Sequence, residues 1–375
     1  MSSATRYGAG ARMLHRLAFR FPMTQKSLAE VEEQLFADLL ERTDPGPPVF
    51  VTSLPRSGTT ILLRLLWESG AFASTLYRDM PFVLSPLLWA RFARRFEAGG
   101  EPVERDHGDG IAISGASPEG FEEVLWKRFW PEHYLDDRIR PWDGAPARPE
   151  FERALDLHMR KIVALRSADG GRGSDDARGG GAGPRSRYLS KNNLNIARLA
   201  DPPSPLRRGT VLVPVREPLQ HAASLRRQHL RFRALQEEDP FLREYMESIG
   251  HHEFGKSLKP VDFEGWLERS TRAPEDPAFW LEYWVATFRR LLDRAPPNAV
   301  FLSYERLTSS PEDALERLAG VVDVEAGRLT SQAGRLHPPR SHPVERDGLP
   351  GALLEEAEDL YRRLEARAES PTAPG

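Results

Sequence analysis

The chain contains no cysteine, which excludes disulfides, thiolate metal sites and a cysteine nucleophile together. Lysine is scarce: of the 52 basic residues six are lysine and 46 arginine. With abundant Ala, Gly and Pro, that skew fits a high-GC genome better than a function. An excess of one charge is missing too. The 52 basic residues face 55 acidic ones, a net charge of −3, so nothing suggests a general polyanion binder. No window approaches 18 uninterrupted apolar residues, which excludes a spanning helix. Met1 to Pro22 holds arginines but no apolar stretch of signal-peptide length, so the expected location is cytoplasmic. What is present, 375 residues at 40% apolar and 29% charged, is enough for a packed core and more than one minimal domain.

The pattern along the chain alternates strand and helix signals. Thr24 to Leu40 carries Leu28, Val31, Leu35, Phe36, Leu39 and Leu40 at helical spacing, with Thr24 placed as an N-cap. Val49 to Leu54 reads as a short buried strand, followed by a tight polar turn and a helix over Ile61 to Trp67. Further helices are predicted over 83–96, 121–130 and 152–166. A Gly-rich stretch, about 168–186, is too polar to offset ordering entropy and is expected to be a disordered insertion. Strand-like Tyr188-Leu189-Ser190 resumes at once. Thr210 to Val215 is the second clear strand; its Pro214 implies an unpaired N–H side or a position near a sheet edge. Helices over 218–234, 279–292, 311–321 and 352–366 and a strand over 299–303 complete an α/β pattern with a central parallel sheet.

Leu54-Pro55-Arg56-Ser57-Gly58-Thr59-Thr60 carries the most chemistry per residue. A loop between a parallel strand and a helix presents backbone N–H groups and the positive end of the helix dipole. Gly58 permits close approach of an anion, Ser57, Thr59 and Thr60 add hydroxyls, and Arg56 adds a charged fork. The nucleoside-triphosphate loop G-x-x-x-x-G-K-[ST] is not matched: Ser53 replaces the first glycine and Thr59 stands at the lysine. Arg216 at the end of the second strand, with Ser224 eight residues on, repeats the arrangement. Arginine and hydroxyl at two strand ends suit a ligand with two separated phosphates, bound at the carboxyl ends of the strands.

At this point the chain resembles the sulfotransferases that use 3′-phosphoadenosine 5′-phosphosulfate. Pro55-Arg-Ser-Gly-Thr-Thr60 is similar to their 5′-phosphosulfate loop, and Val215-Arg-Glu-Pro218 with Ser224 to their 3′-phosphate motif. Tyr188-Leu-Ser-Lys-Asn-Asn193 resembles the intervening strand-end lysine segment, and Phe301-Leu-Ser-Tyr-Glu-Arg-Leu307 with Ser310-Pro311 a later one. The four matches run in family order, closest to the bacterial and the protein-tyrosine or glycan types.

The resemblance implies a three-layer P-loop-like fold, with an N-terminal helical segment over 1–47, the sulfotransferase domain over 48–323, and a C-terminal loop and helix over 324–375. It implies the phosphosulfate nucleotide as co-substrate, a hydroxyl-bearing acceptor (glycan, lipid or small molecule) and no metal. Arg56, Ser57, Gly58, Thr59, Thr60, Arg216 and Ser224 are the implied donor-binding set, with Arg56 and Lys191 as the electrophilic pair. The family's histidine base often stands two residues past the lysine; here that position is Asn193, and an amide cannot take the proton. A carboxylate base is therefore expected, with Asp79 first, then Glu123 and Glu122. Ser117 to Glu123 also reads as an ordinary acidic helix start.

Other features have plainer readings. Adjacent His251 and His252 have poor metal spacing and read as a polar loop. Arg226, Arg227, His229, Arg231 and Arg233 on the 218–234 helix are not interleaved with a base-stacking set of aromatic residues, so no nucleic-acid partner is expected. Trp126 to Trp130 suits core packing better than sugar stacking. A P-loop kinase or phosphotransferase and a non-catalytic nucleotide binder are the rival functions. The sequence does not speak to oligomeric state.

Overall fold

The computed structural model of the chain describes residues 9–20, 22–93, 103–104, 112–113, 115–170, 185–337, 344, 346 and 348–369. Five parallel strands form the central sheet: β1 (Val49–Val51), β2 (Phe72–Ala73), β3 (Arg187–Lys191), β4 (Thr210–Val215) and β5 (Ala299–Ser303). Their order across the sheet is β2-β3-β1-β4-β5. Burial on both faces explains why β1, β4 and β5 are nearly continuous apolar runs. The two faces separate with a period of two. Val49 and Val51 join Leu189, Leu212 and Val300 on one side, against Leu62 and Leu66 of helix Thr59–Glu68 and Leu315 and Leu318 of helix Pro311–Val321. Phe50 joins Tyr188, Val211, Val213 and Phe301 on the other. There they meet Leu155 and Met159 of helix Pro149–Gly170, Leu225 of helix Pro218–Glu238 and Trp284 and Phe288 of helix Pro277–Arg294. Helix, sheet and helix make the expected three-layer α/β fold. Ala29 near the N-terminus and Leu360 and Leu364 of helix Gly351–Glu369 belong to that same second core.

From β1 the chain crosses toward β2 and β3, and from β4 it crosses the other way to β5. The direction of winding reverses between β1 and β4, so the crevice at their carboxyl ends is the topological switch point. Both anion motifs lie there. Pro214 sits within β4, between β1 and β5, and not at a sheet edge. It costs no ladder bond, because β1 has ended: Thr52 N–H donates to Leu212 O at 3.0 Å and the Ser53 hydroxyl to Pro214 O at 2.7 Å. The unpaired N–H side was the correct half of that expectation.

Three boundaries differ from the pattern. β1 spans three residues instead of six because the turn begins at Thr52. The helix expected from Thr24 starts at Pro22, which places Thr24 inside it, and divides at Phe36 (φ −114°, ψ 18°) into Pro22–Leu35 and Ala37–Arg42. Residues 168–170, expected in the disordered insertion, complete helix Pro149–Gly170, and Arg185 donates to Phe72 O at 3.0 Å. Residues 171–184 of that insertion lie outside the described residues.

His158 on helix Pro149–Gly170 is buried edge-on to Tyr188, with neither ring nitrogen hydrogen-bonded. Burial, reinforced by Lys161, lowers its pKa from 6.5 to about 3. The native ring is neutral where the unfolded ring takes up a proton, so this stability is present above pH 6.5 and lost as pH falls toward 3. Between pH 7 and pH 5 the loss is about 2 kcal/mol for this residue. Urea unfolding of His158→Phe is expected to be less acid-sensitive than wild type by that amount. Equal pH dependence of the two proteins would refute it.

Candidate functional site

The turn after β1 is held by contacts that converge on its carbonyl groups. Ser57 Oγ donates to Leu54 O at 2.8 Å. His221 Nε2 lies 2.8 Å from Pro55 O, and Arg216 Nη1 donates to Arg56 O at 3.0 Å. With these carbonyls engaged, the N–H groups are the backbone polarity the loop has left to offer an anion. Arg56 takes φ 72°, an uncommon left-handed conformation for a side-chain-bearing residue, costing roughly 1–3 kcal/mol. Gly58 follows at φ 98°, and a Cβ there would lie 2.7 Å from the Tyr304 ring. Gly58 caps helix Thr59–Glu68 with no side-chain hydrogen bond of its own.

The structure brings Arg56, Arg216 and Ser224 together: Arg56 Nε is 3.4 Å from Ser224 Oγ. Arg216 is 5% exposed, and its guanidinium lies 5.2 Å from the Tyr304 ring centroid. Burial lowers its pKa from the usual arginine range, against the pull of Tyr304, Glu305 and Glu217. Yet among the described residues no carboxylate forms an ion pair with it, and its Nε is buried without a hydrogen-bond partner. His221 is held neutral, at about 3, by burial and by Arg216. A neutral ring with its proton on Nε2 fits the Pro55 carbonyl, which can only accept. Helix Pro218–Glu238, by contrast, is closed by its own cap, Glu217, which accepts from Leu219 N and Gln220 N.

Lys191 ends β3 level with Val51 of β1. Its Nζ is 2.7 Å from Glu119 Oε1. Glu119 also accepts from Gly120 N at 2.9 Å and from the Tyr77 hydroxyl at 3.0 Å. Gly120 is required there: a Cβ would fall 1.5 Å from Lys191 O. Beyond this pair opens a cavity lined by Glu119, Lys191, Asn193, His251 and Glu253 at one end. Asn193 Nδ2 donates to Glu253 Oε1 at 2.9 Å, and His251 Nε2 lies 2.6 Å from Glu253 Oε2. Burial would raise the Glu253 pKa, but His251, Lys191 and Asn193 hold it at about 2.

The three expected base candidates are placed otherwise. Asp79 is buried against Arg166, accepts from Leu76 N at 2.7 Å, and does not line the cavity. Glu122 accepts from Trp126 Nε1 at 3.0 Å and from the Tyr188 hydroxyl at 3.2 Å inside the core. Glu123 reaches the cavity wall, but both its oxygens are taken, by Arg198 at 2.6 and 3.0 Å, by Asn192 at 2.7 Å and by Tyr134. Trp126 and Trp130 are core residues, with the Arg198 guanidinium 3.9 Å from the Trp126 ring centroid. His252 is buried beside Ser257 O. On helix Pro218–Glu238, Arg226 and Arg233 both reach Glu275.

Glu119, His221, Glu253 and Tyr304 were missed as site residues in the sequence reading. Glu119 stands within the segment already flagged there, but the signal that separates it from its neighbours is Lys191, 72 residues on. Removing one partner of a buried ion pair leaves the other uncompensated. Asp79→Ala and Glu123→Ala, stranding Arg166 and Arg198, are therefore each expected to lose about 3–5 kcal/mol in urea unfolding at pH 7. Wild-type stability in either would contradict the structural role.

No protein-family model and no curated protein matches the sequence. Among solved structures, the chain is similar to the sulfotransferase STF9 from Mycobacterium avium, at 15% identity over 91% of this chain and 80% of that one, with a TM-score of 0.45. It is likewise similar to the sulfotransferase STF1 from Mycobacterium tuberculosis H37Rv, at 14% identity over 94% of this chain and 85% of that one, TM-score 0.45. A third similar structure is the sulfotransferase domain from the Synechococcus PCC 7002 olefin synthase, at 14% identity over 86% of this chain and 96% of that one, TM-score 0.33.

Proposed function

We propose that the protein is a sulfotransferase that moves the sulfuryl group of 3′-phosphoadenosine 5′-phosphosulfate to a hydroxyl acceptor. Arg216 carries the reading. A buried guanidinium without a carboxylate partner is costly unless an anion completes it. It stands at the switch point beside a loop that presents backbone donors, with Ser224 and Arg56 adjoining. The residues fit the donor: the turn from Arg56 to Thr60 would hold the 5′-phosphosulfate, and Arg216 with Ser224 the 3′-phosphate.

Lys191 supplies charge at the bridging oxygen between sulfur and the 5′-phosphate, where negative charge develops as that bond breaks. The acceptor oxygen forms the new S–O bond in line, the old S–O bond breaks, and its electron pair leaves on the nucleotide phosphate. The acceptor proton goes to a carboxylate. Asp79, Glu122 and Glu123 are engaged in buried pairs, which leaves Glu119, beside Lys191 and on the cavity, as the base.

A thermal-shift titration with 3′,5′-adenosine bisphosphate, run beside 5′-AMP, ADP and magnesium-ATP, tests the donor site. At 100 times its dissociation constant the bisphosphate is expected to stabilise the fold by about 2.7 kcal/mol, and Arg216→Ala to lose that response. Stabilisation by magnesium-ATP alone would favour a kinase. Glu119→Gln is expected to keep bisphosphate binding and lose about 10²–10⁴-fold in transfer rate. An unchanged rate would remove Glu119 from the base role, and bisphosphate binding with no transfer by the wild type would favour a nucleotide binder.

A further inference from the structure

The cavity beyond Lys191 has two unlike ends. Charged and amide groups gather at the Lys191 end. Much of the remaining wall is hydrocarbon and aromatic, Phe121 after Gly120, Phe232 from helix Pro218–Glu238, and Phe241, Leu242, Met246 and Ile249 from helix Pro240–Ile249, with Asp239 and Tyr245 the polar side chains among them. At the polar end most capacity is already used, Glu119 by Lys191, Tyr77 and Gly120 N, and Glu253 by Asn193 and His251. One acceptor differs. Asn193 is 7% exposed, its amide is oriented by the bond from Nδ2 to Glu253, and its Oδ1 is buried with no hydrogen-bond partner.

On the sulfotransferase reading above, we infer that the acceptor is an apolar compound with a single hydroxyl, a phenol or an alkyl alcohol, whose O–H is first received by Asn193 Oδ1. A sugar carries hydroxyls around its whole ring. In this cavity most would face Phe232, Phe241, Met246 and Ile249, where Asp239 already accepts from Arg12 and Phe241 N, and lose their hydrogen bonds to water without replacement. An apolar body gains from the same walls, and the lone polar group is drawn to the end where a buried acceptor lacks a donor. That end also holds Lys191 and Glu119, so the hydroxyl oxygen is delivered beside the transferring sulfur. Asn193 positions the hydroxyl and the proton itself still leaves to Glu119.

The wall is braced through Asp239, one of its own lining residues. Asp239 caps helix Pro240–Ile249 by accepting from Phe241 N, and Arg12 donates to both Asp239 oxygens at 2.9 and 3.2 Å. The Arg12 guanidinium also lies 4.7 Å from the Phe241 ring centroid. The apolar wall is thereby fixed in place by helix Ala9–Arg20, as a preformed recognition surface requires.

The test uses the full chain with labelled phosphosulfate donor and four acceptors: 1-naphthol, 1-decanol, methyl glucoside and a tyrosine-containing peptide. Transfer to naphthol, decanol or both, with none to the glucoside or peptide, is the expected result, and the two apolar arms separate phenol from alkyl alcohol. Transfer to the glucoside or peptide in preference overturns the inference. Ile249→Lys, at a half-exposed wall position, is expected to raise the KM for the apolar acceptor at least about tenfold while the bisphosphate midpoint shift is unchanged. Asn193→Ala is expected to raise KM likewise, and an unchanged KM in both variants overturns the assignment. Calorimetry of 1-naphthol with the nucleotide-free protein separates the two readings. Naphthol binding that Ile249→Lys abolishes supports the apolar site even if the bisphosphate fails to bind, and bisphosphate binding with no naphthol or decanol binding overturns the apolar site and leaves the donor reading standing.

Discussion

The hydrogen bond from Arg216 to the Arg56 carbonyl ties two strand-to-helix turns into one surface. Around it, His221 holds Pro55 O and Ser224 meets Arg56, so the first turn of helix Pro218–Glu238 shapes the loop that opens helix Thr59–Glu68. That arrangement requires β1 and β4 to be neighbours and to end at different heights. β1 stops at Val51, opposite Leu212, while β4 runs on to Val215. The three-residue difference makes the step in which the loop sits. Pro214 belongs to the same device: at this place a residue without an N–H leaves no donor stranded where β1 has ended.

Much of this was legible locally. Continuous apolar stretches marked β1, β4 and β5, because burial on both faces acts on each residue in turn, while β3 showed only through Tyr188-Leu189 and Phe72–Ala73 did not show at all. Arg56, Ser57, Gly58 and Thr59 announced a donor-rich turn by type and order, and Arg216 with Ser224 followed from the same logic at the next strand. The acids could not be sorted in this way. Asp79, Glu122 and Glu123 differ from Glu119 only in what comes to meet them: Arg166 lies 87 residues beyond Asp79, Arg198 lies 75 beyond Glu123, and Lys191 lies 72 beyond Glu119. A carboxylate becomes a core group or a site group through partners that the fold supplies, and no spacing rule on one element reports them. His221 was hidden for a similar reason. On helix Pro218–Glu238 it is one polar residue among many, and its meaning is the Pro55 carbonyl 166 residues earlier.

Position 193 joins the two sides of the site. The family that the sequence resembles often has a histidine base there, and this chain has an amide. The amide is not idle: it is locked by Glu253, which His251 and Lys191 keep ionised at about 2. A carboxylate so stabilised is a poor proton acceptor at neutral pH. Its geometric effect is to fix which face of Asn193 meets the cavity. Orientation and proton transfer, which a histidine performs with one ring, are in this reading divided between Asn193 and Glu119.

The division fits the ion pair between Lys191 and Glu119. As paired, the lysine charge is neutralised and the carboxylate is hydrogen-bonded, so each is less reactive than it would be alone. A sulfonate arriving on the loop competes for the lysine, and whatever charge Lys191 turns toward the donor it withdraws from Glu119. On the proposed reaction, donor binding thus draws Lys191 toward the sulfonate at the step that needs it, with Tyr77 and Gly120 N keeping the Glu119 carboxylate in place. The acceptor hydroxyl, first held by Asn193, then meets a carboxylate less engaged by Lys191 only when a donor is present. Order of action follows from Coulomb attraction within one ion pair, and the close approach of Gly120 to Lys191, which admits no Cβ, keeps the two groups near enough for it to operate.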